Sequence, residues 1–252
     1  MKISCMRLIA LLLGLVMLPL TAGTAFGRDI TLISKGVANC VIVTPPDSLV
    51  WEGSDKVPPI SWATSHVLKP DRDRRRLRDS IRDLAFYLGK MSGATVDIVE
   101  GLPSEEKRLP LYIGAEAEKV FGPVGKTFKG RFAFRVVVTR KGIGLYGESD
   151  EGTLYAIYEL LHRLGCRWYM PSEMGECIPE QATVTLEEMD ESLAPATEWR
   201  YMQGRTNDSD FQRRNRLGDW GNELDAGHCL EGYVSKEQRK AHPEWCLQVE
   251  GK

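Results

Sequence analysis

Four polar residues in the C-terminal quarter of the chain have the types and placement to hold a ligand. Arg205 and Asn207 directly follow a β-type run, Thr-Glu-Trp-Arg-Tyr-Met-Gln at 197–203, and Asn222 and His228 lie in the loop 218–232 between two glycines. A guanidinium supplies fixed donors, an amide supplies a donor and an acceptor, and a neutral imidazole supplies one of each. A His or Asn at such a place can hydrogen-bond a hydroxyl. The competing reading is that all four are solvated loop residues, because a site depends on a rigid shell around it. No catalytic residue is assigned among them.

Other chemistries find less support. His228, Cys229, His242 and Cys246 are zinc-ligand types, but only His242-x₃-Cys246 has a fitting step. No metal and no cofactor is expected. No His-Glu-x-x-His occurs, and no Gly-x-Ser-x-Gly. Gly142-Ile-Gly144 lacks the third glycine of a phosphate-binding turn. Asn207-Asp-Ser209 is a glycosylation sequon by pattern.

The elements that must position such residues are organised around 147–179. Glu148, Ser149 and Asp150 offer acceptors and negative charge where a helix begins. Leu154, Ile157, Leu161 and Leu164 follow at helical spacing, and Gly165 stands where a left-handed C-cap belongs. Cys166, Trp168 and Tyr169 make an extended segment stopped by Pro171. A second helix is expected over 71–91, with Leu77, Ile81, Leu84, Leu88 and Met91 on one stripe. Its interleaved Asp and Arg residues predict a solvated, ion-paired face, not a nucleic-acid contact. Strands are expected at 37–43, 95–99, 111–114, 132–138, 143–146 and 183–186. Trp51 and Trp62 flank a Pro-rich loop and are expected to pack it down. The sum is an α/β (α+β) fold: a mixed β-sheet with two long helices packed on it. Residues 187–195 are acidic, end in Ala-Pro, and read as a linker.

Three runs also carry a resemblance: Gly-Thr-Leu-Tyr-Ala-Ile-Tyr-Glu-Leu-Leu at 152–161, Leu-Gly-Cys-Arg-Trp-Tyr-Met-Pro at 164–171, and Gly-Glu-Cys-Ile-Pro at 175–179. Together they resemble the N-terminal accessory domain that precedes the barrel of several glycoside hydrolases. Those are the family 20 β-N-acetylhexosaminidases, the family 67 α-glucuronidases and, more closely, the bacterial group around family 163. The resemblance extends over 71–252. It implies a hexosaminidase-like accessory domain at 28–190. It also implies a linker at 191 onward leading into the first βα portion of an incomplete (β/α)₈ barrel that runs to 252. Arg205, Asn207, Asn222 and His228 would then lie at the sugar-binding end of the first barrel strand, and Gly227-His228 resembles a family motif. The implied activity is hydrolysis of glycosidic bonds in N-acetylglucosamine- or uronic-acid-containing glycans, with a glycan or oligosaccharide as partner.

Family members draw their two catalytic acids from later barrel strands. A barrel takes about 250 residues, and of the 252 residues here the run after Pro195 is short. These residues are therefore expected to be inactive by themselves, and those after 196 to be loosely held. The rival readings are a non-catalytic module that binds glycan or protein, and a fragment without function.

Composition fits this picture. Hydrophobic content is 42% and charged content 27%, ordinary for a domain with a real core. Residues 1–27 read as a signal peptide, with Lys2 and Arg7 before a short apolar run and Ala25-Phe-Gly27 at its end. Export to the periplasm or beyond follows, with no membrane association after cleavage. Without Lys2 and Arg7 the 33 basic side chains fall to 31, against 35 acidic ones. No basic field is left to attract nucleic acid. Export makes disulfides possible. Cys166 with Cys177 and Cys229 with Cys246 are the local pairings of the five cysteines beyond Cys5, and buried free thiols are the alternative.

Overall fold

The computed structural model describes residues 29–50, 69–197, 200, 209–217 and 234–245. The expected leader at 1–27, Trp51 and Trp62 lie outside them. A six-stranded mixed sheet has the order β11-β6-β7-β5-β3-β4. Its strands are β3 (Cys40–Thr44), β4 (Ile98–Glu100), β5 (Leu109–Ile113), β6 (Phe134–Thr139), β7 (Gly142–Gly147) and β11 (Met189–Leu193). The pairs β4–β3, β3–β5 and β5–β7 are parallel, whereas β7–β6 and β6–β11 are antiparallel. Parallel neighbours need a crossover, and α1 (Lys69–Ser92) provides it between β3 and β4.

Residue alternation along the strands sorts two cores. Ile42, Leu111, Ile113, Val136, Val138, Ile143 and Leu145 face α1 and α3 (Asp150–Arg163) in the main core. Val137 and Tyr146 belong to a smaller cluster on the opposite face, with Ala117 of α2 (Ala115–Phe121). The result is a mixed α/β domain with helices on both faces of its sheet.

The strand expected over 37–43 is two strands in two sheets. β1 (Ile30–Ser34) turns at Lys35 and Gly36, both at positive φ, into β2 (Val37–Ala38). Those strands form a small sheet with β10 (Val184–Leu186), and the chain passes into the main sheet only after Asn39. The segment expected as a linker contains β11, the edge strand of the main sheet. Five register pairs, Met189↔Val138 through Leu193↔Phe134, join it to β6. Its acidic side chains read as linker composition, but on an edge strand they find cations: Asp190 takes both ends of the Arg135 guanidinium at 2.8 Å.

The stretch 147–179 forms as expected. Ser149 caps α3, its hydroxyl accepting from the Gly152 amide at 3.1 Å. Gly165 ends the helix at φ 96°, a backbone region that favours glycine. Arg167–Trp168 (β8) and Glu176–Cys177 (β9) then close a two-stranded ribbon. Helix α3 is buried beyond its single predicted stripe. Tyr155, Tyr158 and Glu151 are buried as well, because α3 is covered by α1 in addition to the sheet.

Candidate functional site

Arg205, Asn207, Asn222 and His228 all lie outside the described residues, as do Cys229 and Cys246. His242 is described: its ring stacks on Trp245 at 4.1 Å between centroids and meets the Glu244 carboxylate at 2.9 Å. Among the described residues no group of three His, Cys, Asp or Glu is placed to hold a metal.

What the fold brings together is a cleft of about 260 Å³ at the C-terminal end of α1. Helix α1 contributes Phe86, Tyr87 and Lys90. The turn between β8 and β9 contributes Ser172 and Glu173, and β9 contributes Glu176, so one wall comes from the organising stretch. The third side is α4 (Ser209–Arg214), which adds Asp210 and Arg214.

Glu176 is the hub of this cleft. Its Oε1 accepts from the Tyr87 hydroxyl at 2.5 Å and from Arg214 at 3.2 Å, and its Oε2 accepts from Lys90 at 2.6 Å. Trp168 donates its indole N–H to the Tyr87 oxygen at 3.1 Å, and the two rings meet edge-on. Burial alone would push the Glu176 carboxyl up. The hydrogen bonds from Lys90 and Tyr87 and the Arg214 charge outweigh burial and hold it below the usual range. A glycosidic acid catalyst needs the opposite shift. Glu176 is thus an anchored anion and not a proton donor. Burial, with the Glu176 hydrogen bond next, pushes the Tyr87 phenol well up, so it stays a donor.

A second cluster seats α4. Arg213, 3% exposed, donates to the Tyr158 hydroxyl at 2.8 Å and to Asp83 at 3.0 Å. Asp83 Oδ2 also accepts from Tyr158 at 2.7 Å and from Arg214 at 3.2 Å. Phe211 of α4 joins the main core. The expectation that everything after 196 is loosely held therefore fails for α4. The short α5 (Lys236–Ala241) buries no residue.

The α1 polar face is ion-paired as expected but is not all solvated. Arg76 is buried and grips Glu151 of α3 with two bonds, at 3.0 and 3.2 Å. Arg78 is buried too and bonds Asp79. Interleaved charge looks alike in sequence whether water or a second helix covers it. Glu176, Tyr87 and Arg214 were invisible as a group because they are brought together only by tertiary packing. The usable signal was tandem Arg213-Arg214 on an amphipathic segment, matched by Asp79 and Asp83 one helical turn apart.

No family model matches this chain, and no curated protein matches it.

Proposed function

We propose that this chain is the exported, non-catalytic front part of a glycoside-hydrolase-like protein: an α/β accessory domain followed by the opening of a barrel. Its substrates in that setting are glycans containing N-acetylglucosamine or uronic acid. The observation that carries this reading is that the stretch bearing the resemblance, 147–179, folds as one capped helix and ribbon and also builds a wall of the cleft. The pinned state of Glu176 supports a binding role over a chemical one.

The test is retention of the purified chain on insoluble chitin, xylan and peptidoglycan, together with chromogenic N-acetylglucosaminides and glucuronides. Retention without hydrolysis is the expected result. Hydrolysis removes the non-catalytic part of the reading. Absence of both retention and hydrolysis removes the carbohydrate reading altogether.

A protein-binding module is the second reading. It is favoured by one feature, the exposed apolar side chains of Tyr169, Met170 and Met174 on the β8–β9 turn.

A further inference from the structure

We propose that the cleft between α1, the β8–β9 turn and α4 binds a single neutral sugar ring stacked on Phe86. This rests on the carbohydrate reading above and gives that reading a place and a ligand charge.

Phe86 is 57% exposed although it belongs to a helix whose other large apolar residues are mostly buried. Tyr87 meets it edge-on at 5.1 Å. A rigid exposed aromatic offers contact area at little entropic cost. At about 260 Å³ the cleft lies just under the ~300 Å³ at which small-molecule sites begin. That space suits one pyranose ring.

The polar lining suits hydroxyls. Ser172 and Glu173 are exposed, and their side chains make no hydrogen bond with another described residue. Lys90 spends one of its donors on Glu176 and lies over one face of the Phe86 ring, 5.8 Å from its centroid, so a sugar stacks on the opposite face. A hydroxyl both donates and accepts, so it can use an ammonium, a carboxylate and a serine together. The lining's two cations are Lys90 and Arg214; of its three carboxylates, Asp210 is paired with Arg213 at 3.2 Å and Glu176 with both cations, which leaves Glu173 as the unmatched negative charge among the described residues. Both cations already serve Glu176. The lining therefore repels a uronate, sulfate or phosphate and accepts a neutral ring.

Ser172 is the strained member of the wall, at φ 79° and ψ 169°. That region is almost confined to glycine, and such strain gathers at ligand clamps. Gly175 makes the turn tight: a Cβ there would lie 2.1 Å from the Met170 carbonyl oxygen.

Titration calorimetry of the full chain with N-acetylglucosamine, glucose and glucuronate tests this. Neutral sugars should bind and glucuronate should not. Phe86→Ala should weaken neutral-sugar binding by about tenfold or more. Glu173→Gln should weaken it several-fold, and Tyr169→Ala should leave it unchanged. Phe86, Glu173 and Tyr169 are surface residues, so the variants keep the fold. Binding that ignores Phe86→Ala overturns the proposal while the carbohydrate reading stands. Glucuronate binding tighter than glucose overturns the charge argument and with it the proposal. If no free sugar binds but the chain is retained on polysaccharide, the site lies elsewhere and only this inference falls. No sugar binding and no retention removes both, and a protein ligand blocked by Tyr169→Ala would then identify the alternative.

Discussion

Arg213 and Asp83 lie 130 residues apart in sequence, yet their side chains meet at 3.0 Å with the Tyr158 hydroxyl bonded to both. One guanidinium thus ties α4 to α1 and α3 together. Removing it leaves Asp83 and Tyr158 in a largely buried place with fewer donors. Breaking such a pair costs about 3–5 kcal/mol. Arg214 still reaches Asp83 at 3.2 Å, which puts the loss near the lower end. Arg213→Ala is therefore expected to lower stability by about 3 kcal/mol, read from the urea midpoint. Amides of α4 should exchange much faster in the variant. An unchanged midpoint with unchanged α4 protection would mean that the contact holds nothing together.

The acid limb of stability follows from Glu176. Its folded carboxyl is held below the ordinary 4.5. A depressed carboxylate stabilises the fold above its unfolded pKa, and that contribution is lost as pH falls through the folded value. Glu159 shifts the same way, since Arg163 and Arg216 outweigh its burial. Asp150 acts oppositely, because burial raises it despite nearby Arg74. Its penalty is present when it is ionised and vanishes in acid. Unfolding curves at stepped pH are expected to show stability falling below about pH 4.5. Glu176→Gln should flatten that fall while lowering the neutral plateau, and Asp150→Asn should raise the plateau.

The capped start of α3 is a local matter that sequence reads well. Ser149 accepts from the Gly152 amide, and its loss should cost about 1 kcal/mol. Gly147 matters more, because a Cβ there would lie 2.3 Å from the Gly152 carbonyl carbon. That contact is backbone on backbone, so no side chain can swing away. Overpacking of this kind costs about 1–3 kcal/mol. Gly147→Ala should therefore destabilise more than Ser149→Ala, and the order of the two thermal midpoints checks it.

Such local features explain how far the sequence could be read. Both apolar stripes are in place, with Ile81, Leu84, Leu88, Leu154, Ile157 and Leu161 all fully buried. A period of 3.6 leaves a trace in every turn. The Ser149 cap and the Gly165 turn were legible for the same reason. β11 was not, because Met-Asp-Glu-Ser-Leu resembles a linker until β6 offers it a ladder. Helix α2 hides between Gly114 and Gly122 in seven residues, too few for a periodic signal. The cleft depends on three elements meeting, and no window of sequence contains Phe86, Glu176 and Arg214. Arg205, Asn207, Asn222 and His228 rest on the resemblance to a barrel's first strand and its loop, and they lie outside the described residues.

Ser172 allows a test of strain with two opposing terms. A non-glycine residue in its conformation costs about 1–3 kcal/mol. Glycine removes that cost but adds freedom to the unfolded chain worth about 0.4–1 kcal/mol. The first term is larger, so Ser172→Gly is expected to stabilise the domain by about 1 kcal/mol. Ser172→Ala keeps the strain and should change stability little. Equal midpoints for the two variants would show that the turn carries no strain.

The cysteines separate by face. Cys177 is the register partner of Arg167 in the β8–β9 ribbon, so their side chains share a face. Cys166 is one residue earlier and points to the other face, into the core. Of the two local pairings weighed against free thiols, Cys166–Cys177 therefore does not form, and Cys40, Cys166 and Cys177 are all free, while Cys229 and Cys246 lie outside the described residues. Burial pushes the Cys40 thiol up to about 11 and the Cys166 thiol from 9.0 to about 12. Thiolate, the reactive form, is thus much scarcer at Cys166 than at an ordinary thiol. Iodoacetamide at pH 8 followed by peptide mapping should label Cys177 in the native chain, and Cys40 and Cys166 only after unfolding. A Cys166–Cys177 bridged peptide from the native chain would require the ribbon to turn one of these side chains through its plane, and would overturn the register that places them.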